Sequence, residues 1–262
     1  MRQARQLTVS TGSCAAAVHE IFQRAHIRII VKGDMAPWRA PGHGVLLAGD
    51  HRLGAEVAPL FSLFGQLSRH DFHVVAKPYS LTARLLSSAC GADTPILPVI
   101  PKTLTRSSSQ IWNRDLGWRI ARANRLPTVL EADKLNNSTL QKAAELLAGG
   151  RAVTVFPAGG VVDGFYRPWR SGVSNVMLRI PKFCRDSVAV ALFRFDDFSP
   201  GQLLRSLVLQ SYGISPTPMQ ITLRVADAIS VTDMMNGEEE ADAARLTHAL
   251  QRRFWQTFDT TS

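Results

Sequence analysis

Cysteines and long apolar runs are scarce in this chain. Cys14, Cys90 and Cys184 lie far apart and form no C-x-x-C pair, so the sequence predicts neither a disulfide framework nor a zinc site. No stretch approaches the roughly 18 apolar residues that cross a bilayer. The polar start of the chain, residues 1–13, lacks the apolar region of a secretory signal. These absences favour a cytoplasmic protein, with any membrane contact being peripheral and at the inner face.

Acidic residues are the scarcer charged class, with 21 Asp and Glu against 30 Lys and Arg and a formal net charge of +9. Such a charge attracts anionic partners, among them phosphate-bearing substrates and anionic membranes. The basic residues are scattered along the chain and form no block of the kind that binds nucleic acid. We therefore expect no nucleic-acid partner.

Length and pattern predict the fold class. With 262 residues and 45% hydrophobic content, residues 1–262 are expected to form one domain. Alternating strand and helix patterns predict an α/β fold with a mostly parallel or mixed central sheet flanked by helices. Residues 14–26 are predicted to be an amphipathic helix, and the proline-interrupted stretch 95–137 a variable loop or insertion. Further strands are predicted at 27–32, 45–48, 72–76, 152–156, 188–193 and 219–225, and further helices at 57–67, 79–89, 139–148, 172–180 and 238–258.

The first candidate catalytic segment reads G-D-H-R-L-G-A-E over residues 49–56, between an apolar strand and a helix. This placement puts His51 and Glu56 at the carboxyl edge of a sheet, where α/β proteins bind ligands. A carboxylate on one ring nitrogen would orient His51 as a general base. Spacing alone also allows a surface pair, and Asp50 is a competing partner.

The second candidate segment follows the strand predicted at 152–156. Its turn contains Pro157, Ala158, Gly159 and Gly160, and small residues here leave backbone N–H groups able to receive an anion or a developing oxyanion. Downstream, Arg167 and Arg170 are candidate contacts for a phosphate or carboxylate. Taken alone, the same pattern is also typical of an ordinary turn.

Together and in this order, the segments resemble the glycerophospholipid acyltransferase family, which includes lysophosphatidic acid and glycerol-3-phosphate acyltransferases. The family motif N-H-x-x-x-x-D corresponds to D-H-x-x-x-x-E at residues 50–56. The motif F-P-E-G-T-R corresponds to F-P-A-G-G at 156–160, and the P-F-K-x-G segment to P-W-R-S-G at 168–172. Residues 72–77 are similar to the family's strand-to-lysine segment. The resemblance extends over nearly the whole chain.

The resemblance implies an acyltransferase in which His51 is the general base and Glu56 its orienting group. The base would deprotonate a hydroxyl or amine acceptor, which then attacks a thioester of acyl-coenzyme A or an acyl carrier protein. Lys77, Arg167, Arg170 and the turn at 157–160 would then bind substrate. No bound cofactor and no metal are implied.

Three departures from the family motifs bear on specificity. Ala158 and Val161 stand near the places where the family has Glu and Arg to hold the acceptor's phosphate region, and the second family motif is degraded at residues 91–98. These residues are therefore at least as compatible with an acceptor other than a lysophospholipid, such as a specialised metabolite, as with a lysophospholipid. Two alternatives remain open: a thioester hydrolase using the same base on water, and a non-catalytic lipid-binding or carrier-protein-binding module.

Overall fold

The computed structural model describes residues 13–40, 42–49, 56–77, 95–100, 105, 126–157, 161–162, 165–166, 168–196, 199–235 and 242–258. Within these ranges the chain forms a mixed eight-stranded sheet and a separate two-stranded hairpin, with helices on both faces of the large sheet. The prediction of an α/β fold with a central sheet flanked by helices is confirmed.

The main sheet has the strand order β1-β9-β8-β2-β5-β3-β4, with β10 paired to β8. β8, β2, β5, β3 and β4 run parallel to one another, whereas β9 is antiparallel to β8, and β1 is parallel to β9. The strands are β1 (Ile27–Lys32), β2 (Gly44–Gly49), β3 (Phe72–Ala76), β4 (Ile96–Pro98), β5 (Ala152–Val155), the hairpin β6 (Val161–Val162) and β7 (Phe165–Tyr166), β8 (Val188–Asp196), β9 (Met219–Val225) and β10 (Ile229–Ser230).

Helices cover both faces of the sheet and create two apolar cores. One core lies between the sheet and α1, α3 and α6, and the other between the sheet and α4, α5 and α8. All six residues of β2 are buried because this strand lies at the centre of the sheet between the two cores. The helices are α1 (Cys14–Arg24), α2 (Ala36–Arg39), α3 (Val57–Gln66), α4 (Val129–Ala148), α5 (Gly172–Arg179), α6 (Pro200–Ser211), α7 (Val231–Met234) and α8 (Ala243–Phe258), with a 3₁₀ helix at Lys182–Ser187.

A buried arginine ties together the amino ends of the three central strands. The side chain of Arg69 is 6% exposed and forms a two-pronged ion pair with Asp71, through Nε–Oδ1 at 3.0 Å and Nη2–Oδ2 at 2.7 Å. Its guanidinium also donates to the backbone carbonyls of Trp38, His43 and Gly150. His43 precedes β2, Gly150 precedes β5 and Asp71 precedes β3, so one side chain aligns the starts of all three strands.

The charge on Asp71 makes this arrangement dependent on pH. Burial alone would raise the pKa of the Asp71 carboxyl, but the hydrogen bonds and positive charge of Arg69 outweigh burial and lower it. Since the folded-state pKa is depressed, the pair's contribution to stability is present above the ordinary carboxyl range. It is lost as the pH falls through the folded pKa.

Replacing Arg69 should destabilise the fold strongly. In Arg69→Leu the Asp71 carboxylate and three carbonyls lose their donor, so we expect the free energy of unfolding in urea to fall by about 3–5 kcal/mol. Arg28→Leu, at an exposed position on β1, is the matched control and should change it by less than about 0.5 kcal/mol. An equal decrease in the free energy of unfolding in the two variants would show that the contacts of Arg69 contribute no more stability than an exposed arginine does.

The sequence prediction was wrong about part of the stretch 95–137. Ile96–Pro98 is strand β4, and α4 begins at Val129 and not at Thr139. The start signal was a capping box, in which the Thr128 side chain accepts from the backbone N–H of Glu131 while the Glu131 side chain accepts from that of Thr128. The Asn136 side chain, on α4, accepts from the backbone N–H of Ile100 at 2.8 Å and donates to its carbonyl at 2.9 Å.

The other predicted elements in the described residues agree with the structure to within a few residues, except that α8 begins at Ala243 and not near 238. Helix α6 was not predicted, and neither were the short elements α2, α7, β6, β7, β10 and the 3₁₀ helix. The helix predicted at 79–89 lies outside the described residues.

One cysteine also departs from expectation. Cys14 is disulfide-bonded, whereas Cys184 is a free, half-buried thiol, so the partner of Cys14 lies outside the described residues. From the sequence no disulfide framework was predicted, and this bond was not anticipated, because cysteines that lie far apart in sequence can still be neighbours in the fold. The cytoplasmic location remains a prediction.

Cys14 and Cys184 should therefore differ in their reactivity towards an alkylating reagent. When the denatured, unreduced protein is treated with an alkylating reagent, Cys184 should be labelled and Cys14 should be labelled only after a reductant is added. Peptide mass spectrometry measures both. Labelling of Cys14 without reductant would contradict the disulfide.

Candidate active site

The central strands bring two of the motif segments and Lys77 to one edge of the sheet. In the parallel register Ala48 pairs with Val155, and Val155 pairs with Val75. Strands β2, β5 and β3 therefore end level with one another, at Gly49, Val155 and Ala76. We call this side, where the parallel strands end, the carboxyl edge. The segments that follow the three strands are those singled out from the sequence.

His51 follows β2 by two residues and lies outside the described residues, as does Asp50. Glu56 is described: it immediately precedes α3, its backbone carbonyl accepts from Leu60 N, and its side chain is only 2% exposed. A glutamate is rarely so buried unless another group balances its charge. Because Glu56 is buried, it cannot belong to a solvent-exposed pair of side chains, which was the alternative that the sequence spacing allowed. Its pairing with His51 remains a prediction.

The segment after β5 is held by a backbone contact. Pro157 is buried, and its carbonyl accepts a hydrogen bond from the backbone N–H of Arg170 at 3.0 Å. Trp169 fixes this return of the chain because its ring is buried in the core 5.3 Å from that of Phe254. The exposed residue Arg170 is thus placed beside the end of β5. The structure therefore brings Arg170 to Pro157, although twelve residues lie between them in the sequence.

Of the other predicted binding residues, Lys77 directly follows β3 and is half-buried at the carboxyl edge. Ala158, Gly159, Gly160 and Arg167 lie outside the residues whose side chains are described. Their roles remain predictions.

A row of cations beside this edge was not predicted from the sequence. Lys32 on β1 pairs with Arg224 on β9, which pairs with Arg194 on β8. Like charges placed opposite one another repel, and here Asp196 offsets part of the repulsion through its ion pair with Arg224 at 2.8 Å. The sequence could not align these cations, because their alignment depends on which strands are neighbours in the sheet.

The cation row lies close to the start of the His51 segment. Gly49, the last residue of β2, pairs with Phe193, and Arg194 is the next residue of β8. The row therefore adds positive potential at the level where the first motif begins, which favours an anionic substrate group there.

An aromatic cluster supports the turn after β2. Phe193 is fully buried, its ring lies edge-on to that of Phe156 at 5.9 Å, and a Cβ built on Gly49 would lie 2.5 Å from it. Only glycine fits at position 49 without moving the ring. Phe193 thus contacts the strand ends that precede both motifs.

This contact predicts a compensating pair of substitutions. Gly49→Ala should lower the free energy of unfolding by about 1–3 kcal/mol through overpacking. In a Phe193→Leu background the same change should cost much less, because the ring atoms that clash are gone. A double-mutant cycle in urea measures the coupling, and simple additivity of the two losses would contradict the predicted clash.

Three other histidines lie towards the amino edge, away from the motif segments. His73, at the start of β3, donates from Nδ1 to the Asp71 carbonyl at 2.9 Å, and burial lowers its pKa. His70 bonds Ser13 Oγ at 2.6 Å, and His43 is exposed just before β2. Within the described ranges no group of three His, Cys, Asp or Glu residues is arranged to bind a metal ion.

No protein-family model matches this chain. No curated protein matches it either. Among solved structures, the chain is similar to the crystal structure of the 1-acyl-sn-glycerophosphate (LPA) acyltransferase PlsC from Thermotoga maritima, with 11% sequence identity and a TM-score of 0.47. The similarity covers 93% of this chain and 80% of that chain. At this identity and TM-score we draw no conclusion about activity from it.

Proposed function

We propose that this protein is an acyltransferase that moves an acyl group from a thioester to a hydroxyl or amine acceptor. The observation that carries the proposal is the common end of β2, β5 and β3 at the carboxyl edge. Strands β2 and β5 are direct neighbours, and each immediately precedes one of the two segments that resemble acyltransferase motifs, although about a hundred residues separate these segments in sequence. Burial of Glu56 at the start of α3 further supports an internal role for this carboxylate.

In the proposed mechanism, His51 takes the proton of the acceptor as the acceptor oxygen or nitrogen attacks the thioester carbonyl carbon. Glu56 holds the ring of His51 in the required tautomer and stabilises the imidazolium that forms. Backbone N–H groups of the turn after Pro157 receive the charge that develops on the carbonyl oxygen. Collapse of the tetrahedral intermediate breaks the carbon–sulfur bond, and the departing thiolate takes the proton from His51.

The donor is proposed to be acyl-coenzyme A or an acyl carrier protein, both of which carry phosphate. Lys77, Arg167, Arg170 and the Lys32–Arg224–Arg194 row are the proposed source of attraction for such groups. Because Ala158 and Val161 replace the polar groups of the resembled motif, we favour an acceptor other than a lysophospholipid, such as a specialised metabolite.

The test is the rate of thiol release from palmitoyl-coenzyme A and palmitoyl carrier protein, with and without a panel of hydroxyl and amine acceptors. Release should depend on an acceptor, and His51→Ala should lower its rate about 10²- to 10⁴-fold, the contribution of a positioned base. His43→Ala, at an exposed position near the opposite edge, is the matched control and should retain full activity.

Each other outcome contradicts a defined part of the proposal. Full activity in His51→Ala removes the assigned base. Thiol release without any acceptor makes the protein a thioester hydrolase. Tight donor binding without turnover across the panel makes it a binding module.

A further inference from the structure

Helix α6 lies in a connection that starts and ends at the carboxyl edge. β8 and β9 are antiparallel neighbours, and Asp196 at the end of β8 pairs with Thr222 near the start of β9. Because β8 is parallel to β2, the chain between β8 and β9 leaves and rejoins the sheet on the side where the motif strands end. A surface on α6 is therefore close to the candidate active site.

One face of α6 is anchored and an adjoining face is open to solvent. Leu203 is buried and Leu207 packs against the core that also contains α1 and α3. On this adjoining face, about 100° around the helix from Leu203 and Leu207, an apolar stripe follows the helix at a spacing of four residues and continues into the turn after it. The stripe consists of Leu204, Val208, Tyr212 and Ile214, which are 50%, 45%, 78% and 53% exposed.

This α6 stripe is the densest exposed apolar feature in the described part of the chain. Outside it, the large apolar side chains exposed there are Ile30, Leu130 and Phe183, each on a different element. Single exposed apolar residues are ordinary, whereas a contiguous group marks a contact surface. The stripe therefore marks a contact surface.

Charge and size favour a lipid surface over a protein as the partner of this contact surface. The stretch 199–226 contains no Asp or Glu, and Arg205 is exposed beside the stripe. A stable protein interface buries on the order of 1,000 Å² or more in total and uses tens of residues, whereas two side chains on α6 and two directly after it suit shallow insertion of roughly 5–10 Å into a bilayer surface. Tyr212, directly after α6, fits the membrane–water boundary.

We infer that the α6 stripe docks this protein on an anionic lipid bilayer, with the carboxyl edge of the sheet towards the lipid. None of the helices in the described residues is both long and apolar enough to cross a bilayer, so docking uses the side of a helix. The docking does not depend on the proposed acyl transfer, and it is tested by binding alone.

The test is co-sedimentation with vesicles of phosphatidylcholine alone or mixed with phosphatidylglycerol. Wild-type protein should bind the anionic vesicles, and the triple variant Leu204→Ser, Val208→Ser, Tyr212→Ser should bind at least about tenfold more weakly, because inserted apolar side chains supply much of the affinity. The exposed positions of these side chains leave the fold intact, and the unfolding midpoint in urea verifies this.

Phe183→Ser is the matched control. Phe183 is 88% exposed but lies in the 3₁₀ helix that precedes β8, at the opposite edge, so its loss should leave binding unchanged. A tryptophan placed by Tyr212→Trp should be quenched by brominated lipids, and one placed by Phe183→Trp should not. The inference is overturned if wild-type protein does not sediment with anionic vesicles, or if Phe183→Ser weakens binding as much as the triple variant.

Discussion

The parallel register of β2, β5 and β3 is the constraint on which the candidate site depends. Each strand is followed in the chain by a segment with candidate catalytic or binding residues, and because the strands end level, the three segments start at the same edge of the sheet. The Arg69 guanidinium holds the other ends of the same strands through Asp71 and the carbonyls of His43 and Gly150. If one strand slipped in register, its carboxyl end would no longer be level with the ends of its neighbours. The same slip would break a hydrogen bond or ion pair to Arg69. We call these contacts of Arg69 the Arg69 clamp. Because it aligns the amino ends of the three strands, it also keeps their carboxyl ends level.

Several charged groups at the carboxyl edge are less exposed to water than those in an ordinary surface turn. Glu56 is buried at the amino end of α3, where the helix dipole favours a negative charge. Phe193 and Phe156 form an apolar base beneath the strand ends, and the Lys32–Arg224–Arg194 row adds positive potential beside them. An apolar base with charges at its margin strengthens electrostatic interactions, because fewer water molecules screen them.

The bounds of most strands and helices could be predicted from the sequence, but the contacts between residues of different strands could not. Strands Phe72–Ala76 and Met219–Val225 were predicted with their observed bounds, because the apolar pattern of a strand is a local property of the sequence. Helix α6 was missed although Ser199 and Pro200 are ordinary start signals, since its stripe faces solvent and departs from the usual amphipathic pattern. The Arg69 clamp and the cation row were missed because both depend on which strands are neighbours, and periodicity carries no information about that.

The central claim is that His51 and Glu56 act as one unit, and a kinetic double-mutant cycle tests it most directly. The values of kcat/KM for thioester-dependent acyl transfer would be compared among wild type, His51→Ala, Glu56→Gln and the double variant. If the carboxylate acts only through the imidazole, Glu56→Gln lowers the rate in the wild-type background and has little further effect once His51 is gone. Losses that multiply in the double variant would show that the two residues act independently, and would contradict the proposed pair.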